Sequence, residues 1–183
     1  MVMENKNVRK EVRRLLDKKK FVMVTGPAGI GKTTVCKEIF KRINGCAWLD
    51  GDWCWMVNPY PGKTTEQKKY VERAFGYILN GYFHDINTKI ILFSWLMHSD
   101  FMFDLITDQI ADKDFELIKV ALVCSDKNAY IDRMREDKRS EAQIEEADNI
   151  KRFYQLNANI IDVADLSVGG TAERIIELID SGM

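Results

Sequence analysis

Five short apolar runs punctuate the chain, and between them apolar positions recur at helical spacing. Residues 21–25 (FVMVT) predict a first strand that runs straight into a glycine-rich turn and a helix starting near Lys32. Runs at 46–50 (CAWLD), 89–95 (KIILFSW), 115–124 (FELIKVALVC) and 159–163 predict four more strands. Val8, Val12, Leu15 and Leu16 mark an amphipathic first helix, and Val71, Phe75, Ile78 and Tyr82 line one face of a long helix over roughly 65–83. Further helices fall at about 100–111 and 126–135, on a stripe of Ile144, Ala147, Ile150 and Tyr154, and at about 172–179. Strands that are apolar on both faces and alternate with helices imply a parallel sheet between two helical layers. The expected fold class is therefore α/β, a three-layer α/β/α sandwich in a single domain over 1–183.

Composition narrows the partners. With 183 residues, 46% hydrophobic and 30% charged, the chain can bury one sizeable core. A formal net charge of -1 supplies no global basic field, which argues against a nucleic-acid polymer or an anionic membrane as partner. An acidic ligand must then be held by a local device. Cys36, Cys46, Cys54 and Cys124 form no C-x-x-C pair, so neither a zinc site nor a disulfide framework is suggested, and a reducing cytoplasm is the expected location. The opening MVMENKNVRKEVRRLL lacks the apolar centre of a signal peptide, and no apolar run approaches the roughly 18 residues that span a bilayer. Charges dominate 132–148, the pattern of a solvated helix face.

The local device stands directly after the first strand. GPAGIGKTT satisfies G-x-x-x-x-G-K-[ST], with Gly26, Pro27, Ala28, Gly29, Ile30, Gly31, Lys32, Thr33 and Thr34 in order. Glycines let backbone N–H groups turn inward around a phosphate chain, and the helix N-terminus adds partial positive charge. Lys32 reaches the β- and γ-phosphates, and Thr33 offers a hydroxyl to Mg²⁺. Many proteins with this loop place the metal's acid at the end of a later strand. Here 89–95 ends in Ser94 and Trp95, with no acid before Asp100. Asp50, at the end of the second strand, is the better-placed metal carboxylate, because the carboxyl ends of parallel strands converge beside the phosphate loop. Asp52 stands slightly further out, where it can meet an acceptor. The competing reading of D-G-D is a plain Asp-Gly turn.

The loop, its place near the N-terminus and the chain length resemble the P-loop small-molecule and nucleoside monophosphate kinases. That resemblance implies a P-loop NTPase fold with a five-stranded parallel sheet, a charged lid at about 133–148, and ATP with Mg²⁺ as cofactors. The D-G-D of Asp50, Gly51 and Asp52 resembles the acids found here in shikimate and adenylylsulfate kinases, and gluconate kinases and chloramphenicol phosphotransferases carry an acid nearby. The resemblance implies that Asp50 sits in the magnesium shell and that Asp52 orients the acceptor hydroxyl and takes its proton. It also places Arg133 against adenine and Arg139, with Lys32, near the transferred phosphate, while Arg135 is a third lid arginine. The lid spacing is one residue shorter than in shikimate kinases, and Ser140 stands where a proline is expected. The D-G-F-P-R motif of adenylate kinases is missing from the sequence.

Trp53, Trp55 and Trp95 can grip a ring-shaped acceptor or serve as core, and Trp48 reads as core. Lys63 and Arg73 can bind an anionic group or stay solvated. His98 and Asp100 are a second acid-base candidate ranked behind Asp52. The expected activity is transfer of the γ-phosphoryl of Mg-ATP to a hydroxyl of a small-molecule acceptor. The alternatives are a nucleoside or nucleotide kinase and a non-catalytic ATP-binding regulatory protein.

Overall fold

A computed structural model describes residues 18–58, 64–141, 144 and 146–181. Strands β1 (Lys19–Thr25), β2 (Cys46–Asp50), β3 (Ile90–Ser94), β4 (Phe115–Val123) and β5 (Asn159–Asp162) form one sheet in the order β2-β3-β1-β4-β5. Every pairing is parallel. Helices α1 (Lys32–Arg42), α2 (Thr65–His84), α3 (Asp100–Asp108), α4 (Lys127–Glu136) and α5 (Val168–Ser181) connect and cover it.

β1 takes the centre because it has no polar face to offer water. Phe21, Val22, Met23 and Val24 are each 0% exposed, and alternation sends them to opposite sides. Phe21 and Met23 join Phe75 and Leu79 of α2 and Phe103 and Ile106 of α3. Val22 and Val24 join Val35 and Ile39 of α1 and Ala172 and Ile175 of α5. The expected three-layer α/β/α fold with five parallel strands is therefore what the chain forms.

Local chemistry fixes the α2 wall at both edges of the sheet. Thr64 caps α2 in a reciprocal box with Gln67: the Thr64 hydroxyl accepts from the Gln67 N–H, and the Gln67 side chain accepts from the Thr64 N–H. Asn80 then ties α2 to the end of α3. Its amide donates to Gly76 O (2.6 Å) and Gln109 O (2.8 Å), and its Oδ1 accepts from the Ala111 N–H (2.8 Å).

One expectation changes. The stripe at Ile144, Ala147, Ile150 and Tyr154 assumed α-helical spacing, but Glu146–Gln155 is a 3-10 helix with three residues per turn. The apolar face accordingly runs through Ile150 and Phe153 to Leu156, with Phe153 2% and Tyr154 44% exposed. Ile144 is buried as expected, and Ala147 falls outside the residues whose side chains are described. The first-helix positions Val8, Val12, Leu15 and Leu16 lie outside the described residues, as do Lys63 and three lid positions, 142, 143 and 145. Among the described residues no helix is long and apolar enough to cross a membrane.

Phe75 is fully buried and meets Phe93 and Trp95 edge-on at 5.3 and 5.1 Å. Phe75→Ala is expected to cost about 3–5 kcal/mol in urea unfolding, the range for large aromatic truncations in a close-packed core. A loss under about 1 kcal/mol would show that this face of the sheet is not packed as described.

Candidate active site

The phosphate loop is shaped by what it must approach. Gly26 has φ +149°, and a Cβ there would lie 2.6 Å from Leu122 O and 2.9 Å from Ile30 Cγ2, so only glycine lets the loop leave β1 beside β4. Gly31 opens α1 at φ +103°, and a Cβ placed on it would meet nothing within 4 Å, so the crest of the loop has free room above it. The first backbone N–H groups of α1 have no partner within the helix and are donors for an anion. Tyr130 of α4 steadies the loop from below by donating its hydroxyl to Ala28 O at 2.6 Å. Lys32 folds over the loop, its ammonium donating to Gly26 O and Pro27 O at 2.9 Å each. Burial draws its pKa down to about 8, and Asp52 and Asp50 pull the other way.

Strand register brings the acids to this loop. Val24 of β1 and Asp50 of β2 are both level with Ser94 of β3, so the strand ends form a ledge. Ser94 occupies the third-strand position where an acid was sought; it is 1% exposed and accepts from Trp48 Nε1 at 3.0 Å. The acid stands one strand away. Asp50, 4% exposed, accepts from Thr33 Oγ1 through Oδ2 (2.7 Å) and from the Asp52 N–H through Oδ1 (3.1 Å). Thr33 and Asp50 thus present two adjacent hard oxygens, the donor type that Mg²⁺ takes alongside phosphate oxygens and water.

Gly51–Trp55 is a 3-10 turn whose N-cap is Asp50. Gly51 is required for contact, since a Cβ there would sit 2.6 Å from Trp95 Cγ and Cδ1. Its φ is not positive, so D-G-D is not an ordinary glycine turn. Asp52 follows on the same turn, with the Trp95 side chain near its carboxyl. Burial and the neighbouring Asp50 raise its pKa above the ordinary 3.8, against the lowering pull of Lys32, Trp95 and Arg139. A carboxylate raised this way is a stronger base than an exposed one.

Two clefts flank the loop. One of about 330 Å³ is lined by Gly29, Gly31, Thr34, Arg133, Val163 and Ser167 among others. The other, about 480 Å³, opens between the Gly51–Trp55 turn, α2, the end of β3 and α3, and Asp52 lines it. Arg133 is fixed beside the first cleft by donating Nη2 to Val163 O (3.0 Å) and Ala164 O (3.2 Å). After α4, Lys138 adopts φ +55° and the Arg139 N–H bonds Met134 O at 3.0 Å, a helix-ending turn that returns the chain toward the loop. Arg139 is within electrostatic reach of Lys32 and Asp52.

The residues singled out in the sequence are thus sorted. Lys32, Thr33, Asp50 and Asp52 come together, with Arg133 and Arg139 on the α4 side. Arg135 is exposed and pairs with Asp132 at 3.3 Å. Trp55 and Trp95 line the larger cleft, whereas Trp53 packs against Trp48 with ring centroids 4.9 Å apart and planes tilted by 58°. Arg73 is exposed and outside the cleft lining, and Lys63 is outside the described residues. His98 and Asp100 separate: His98 lines the cleft, while Asp100 accepts from the Asn157 N–H at 3.1 Å. Tyr130 under the loop and Phe101 in the cleft carried no motif by which to find them.

The described geometry has close counterparts among solved structures. The Deinococcus radiodurans tunicamycin resistance protein is 15% identical, with a TM-score of 0.63 over 88% of this chain and 96% of that one. The Acinetobacter baumannii shikimate kinase, solved with shikimate, is 16% identical with a TM-score of 0.57 over 92% of this chain and 97% of that one. The Mycobacterium tuberculosis APS kinase, solved with AMPPNP and APS, is 16% identical with a TM-score of 0.57 over 89% and 98%. At such identity the likeness is one of fold, the fold of the P-loop kinases. No curated protein matches the chain in sequence. A family model described as AAA domain matches residues 22–153, from the first strand through most of the 3-10 helix before β5, and the chain belongs to that family.

Proposed function

We propose that this protein is an ATP-dependent phosphotransferase that moves the terminal phosphoryl group of Mg-ATP to a hydroxyl of a small molecule in the cleft beside Asp52. The observation that carries this reading is the continuity of one short segment: Asp50 holds Thr33 of the phosphate loop, and Asp52, two residues on, lines a separate cleft. A purely nucleotide-holding protein has no need of an acid facing a second cleft. The four free thiols and the use of ATP favour a cytoplasmic location.

Thr33 and Asp50 would hold Mg²⁺, which would supply neutralising charge to the phosphates. The loop amides and Lys32 hold the phosphate chain, and the cleft lined by Arg133 takes the base. Asp52 accepts the hydroxyl proton and aims the oxygen at the γ-phosphorus. The new bond forms between that oxygen and phosphorus as the bond to the bridging oxygen breaks, and ADP leaves. Lys32 and Arg139 stabilise the charge that spreads over the transferring group.

Three outcomes follow from these roles. In a metabolite screen read by ADP release, some acceptor stimulates the wild type and none stimulates Lys32→Ala; a Lys32→Ala protein equally active would remove the loop from catalysis. Asp52→Asn is expected to bind ATP within about threefold of wild type while transfer falls by about 10²–10⁴, the usual contribution of a positioned base. Undiminished turnover would dismiss Asp52. The pH dependence follows from Lys32, whose pKa near 8 lies below the ordinary 10.5. Below 8 the ammonium is present and binds phosphate, and above 8 the free protein loses it. Calorimetric ATP affinity should therefore fall as pH rises above about 8, by no more than about tenfold per unit, and Lys32→Arg should flatten the decline. A wild-type profile that stays level to about pH 9.5 would contradict this assignment.

A further inference from the structure

The larger cleft is built for an apolar body. Its floor is Val71 and Phe75, both buried, and the aromatic faces of Trp55 and Trp95 adjoin them. Phe101, in the first turn of α3, is 71% exposed, and Leu96 is 38% exposed, yet both belong to this lining. Two large apolar side chains left to water at the rim of a concave site mark a place where an apolar ligand removes surface from solvent.

The charges point the same way. Among the described lining residues the ionisable groups are Asp52, Glu72, Lys68 and His98, so two carboxylates face one exposed ammonium. A phosphate dianion or a sugar carboxylate entering here meets two carboxylates, one ammonium and no arginine among the described lining residues, since Lys32 and Arg139 act on Asp52 from outside that lining. No amide or hydroxyl side chain occurs in the same lining. A polyol or a nucleobase would bring several donors and acceptors against walls that cannot pair most of them, and each unpaired group loses its water without compensation.

We propose, resting on the phosphotransferase reading of this site, that the acceptor is an uncharged, largely apolar alcohol with a flat ring system, an aryl alcohol being the simplest case. Its rings lie among Trp55, Trp95 and Phe101, and its single reacting hydroxyl meets Asp52. That hydroxyl gives its proton to the Asp52 carboxylate as its oxygen takes the phosphoryl group from ATP and ADP departs. The product is a phosphate monoester, whose two negative charges are repelled by Glu72 and, once its proton has passed to water, by Asp52. The lining that admits the alcohol therefore favours release of its phosphate.

The test uses the full chain with Mg-ATP and three probes: 2-naphthylmethanol, gluconate and AMP. ADP release and tryptophan fluorescence are read together, since Trp55 and Trp95 line the cleft. The naphthyl alcohol is expected to quench fluorescence and stimulate ADP release with KM at least about tenfold below that of gluconate or AMP, the order of discrimination an apolar pocket gives. Phe101→Ala is expected to raise KM for the alcohol about tenfold with kcat within about threefold, and Phe101→Leu to recover most of the loss. Because Phe101 is 71% exposed, neither change opens the core. Gluconate or AMP as the better acceptor, or a Phe101→Ala protein with unaltered KM, overturns the proposed acceptor class. Calorimetric binding of a non-hydrolysable ATP analogue, lost in Lys32→Ala, reports the phosphotransferase reading separately. If that binding holds while AMP is the acceptor, only the acceptor class falls; if the binding fails, both fall.

Discussion

The hydrogen bond from Thr33 Oγ1 to Asp50 Oδ2, 2.7 Å long, is the contact on which the site depends. It joins the first turn of α1, which follows β1, to the end of the edge strand β2, which β3 separates from β1 in the sheet. Asp50 also caps the turn that carries Asp52. One carboxylate therefore sets the position of the loop hydroxyl and of Asp52 together. Its burial makes the arrangement stiff, because a buried carboxylate that loses either donor bears the cost of an unmet acceptor.

The sheet supplies the ledge on which this happens. With Val24, Ser94 and Asp50 level, the strand ends leave Lys32 and both acids on one side of a continuous hydrogen-bonded edge. The two clefts then lie to either side of the loop, one toward Arg133 and α5, the other toward α2 and α3. Lys32, partly desolvated, sits between groups of opposite demand. The charge it holds at neutral pH is costly to the fold, and an anion seated in the loop offsets that cost. Because the lysine's pKa is lowered, the cost is present below pH 8 and disappears as pH rises toward 10.5. This is a site whose fold tolerates strain that a phosphate chain relieves.

Much of this was legible beforehand. The loop motif is local: glycine at Gly26 and the lysine and threonine at the start of α1 answer to backbone geometry within a few residues. The β-strands were visible because each is apolar on both faces, and α2 because Val71, Phe75, Ile78 and Tyr82 keep a helical period. The stripe before β5 misled because an α-helical period was imposed on a segment that winds with three residues per turn. There the burial of Phe153 in place of Tyr154 is a consequence of pitch that composition does not reveal. The acids were located by strand ends, yet their division of labour was not, since Asp50 and Asp52 differ only in what packs around them.

The amino-acid sequence by itself determined the layered α/β/α class, the phosphate loop and the shortlist of acids, because these follow from periodicity and from backbone rules that act over a few neighbours. Only the tertiary structure decided that Trp95 closes on Gly51, that Trp53 leaves the site to pack against Trp48, that Tyr130 supports Ala28, and that Phe101 stays exposed in a cleft. The contacts of Trp95 with Gly51 and of Tyr130 with Ala28 join residues far apart in the chain. Their meeting depends on strand register and helix packing, which no short stretch of sequence contains.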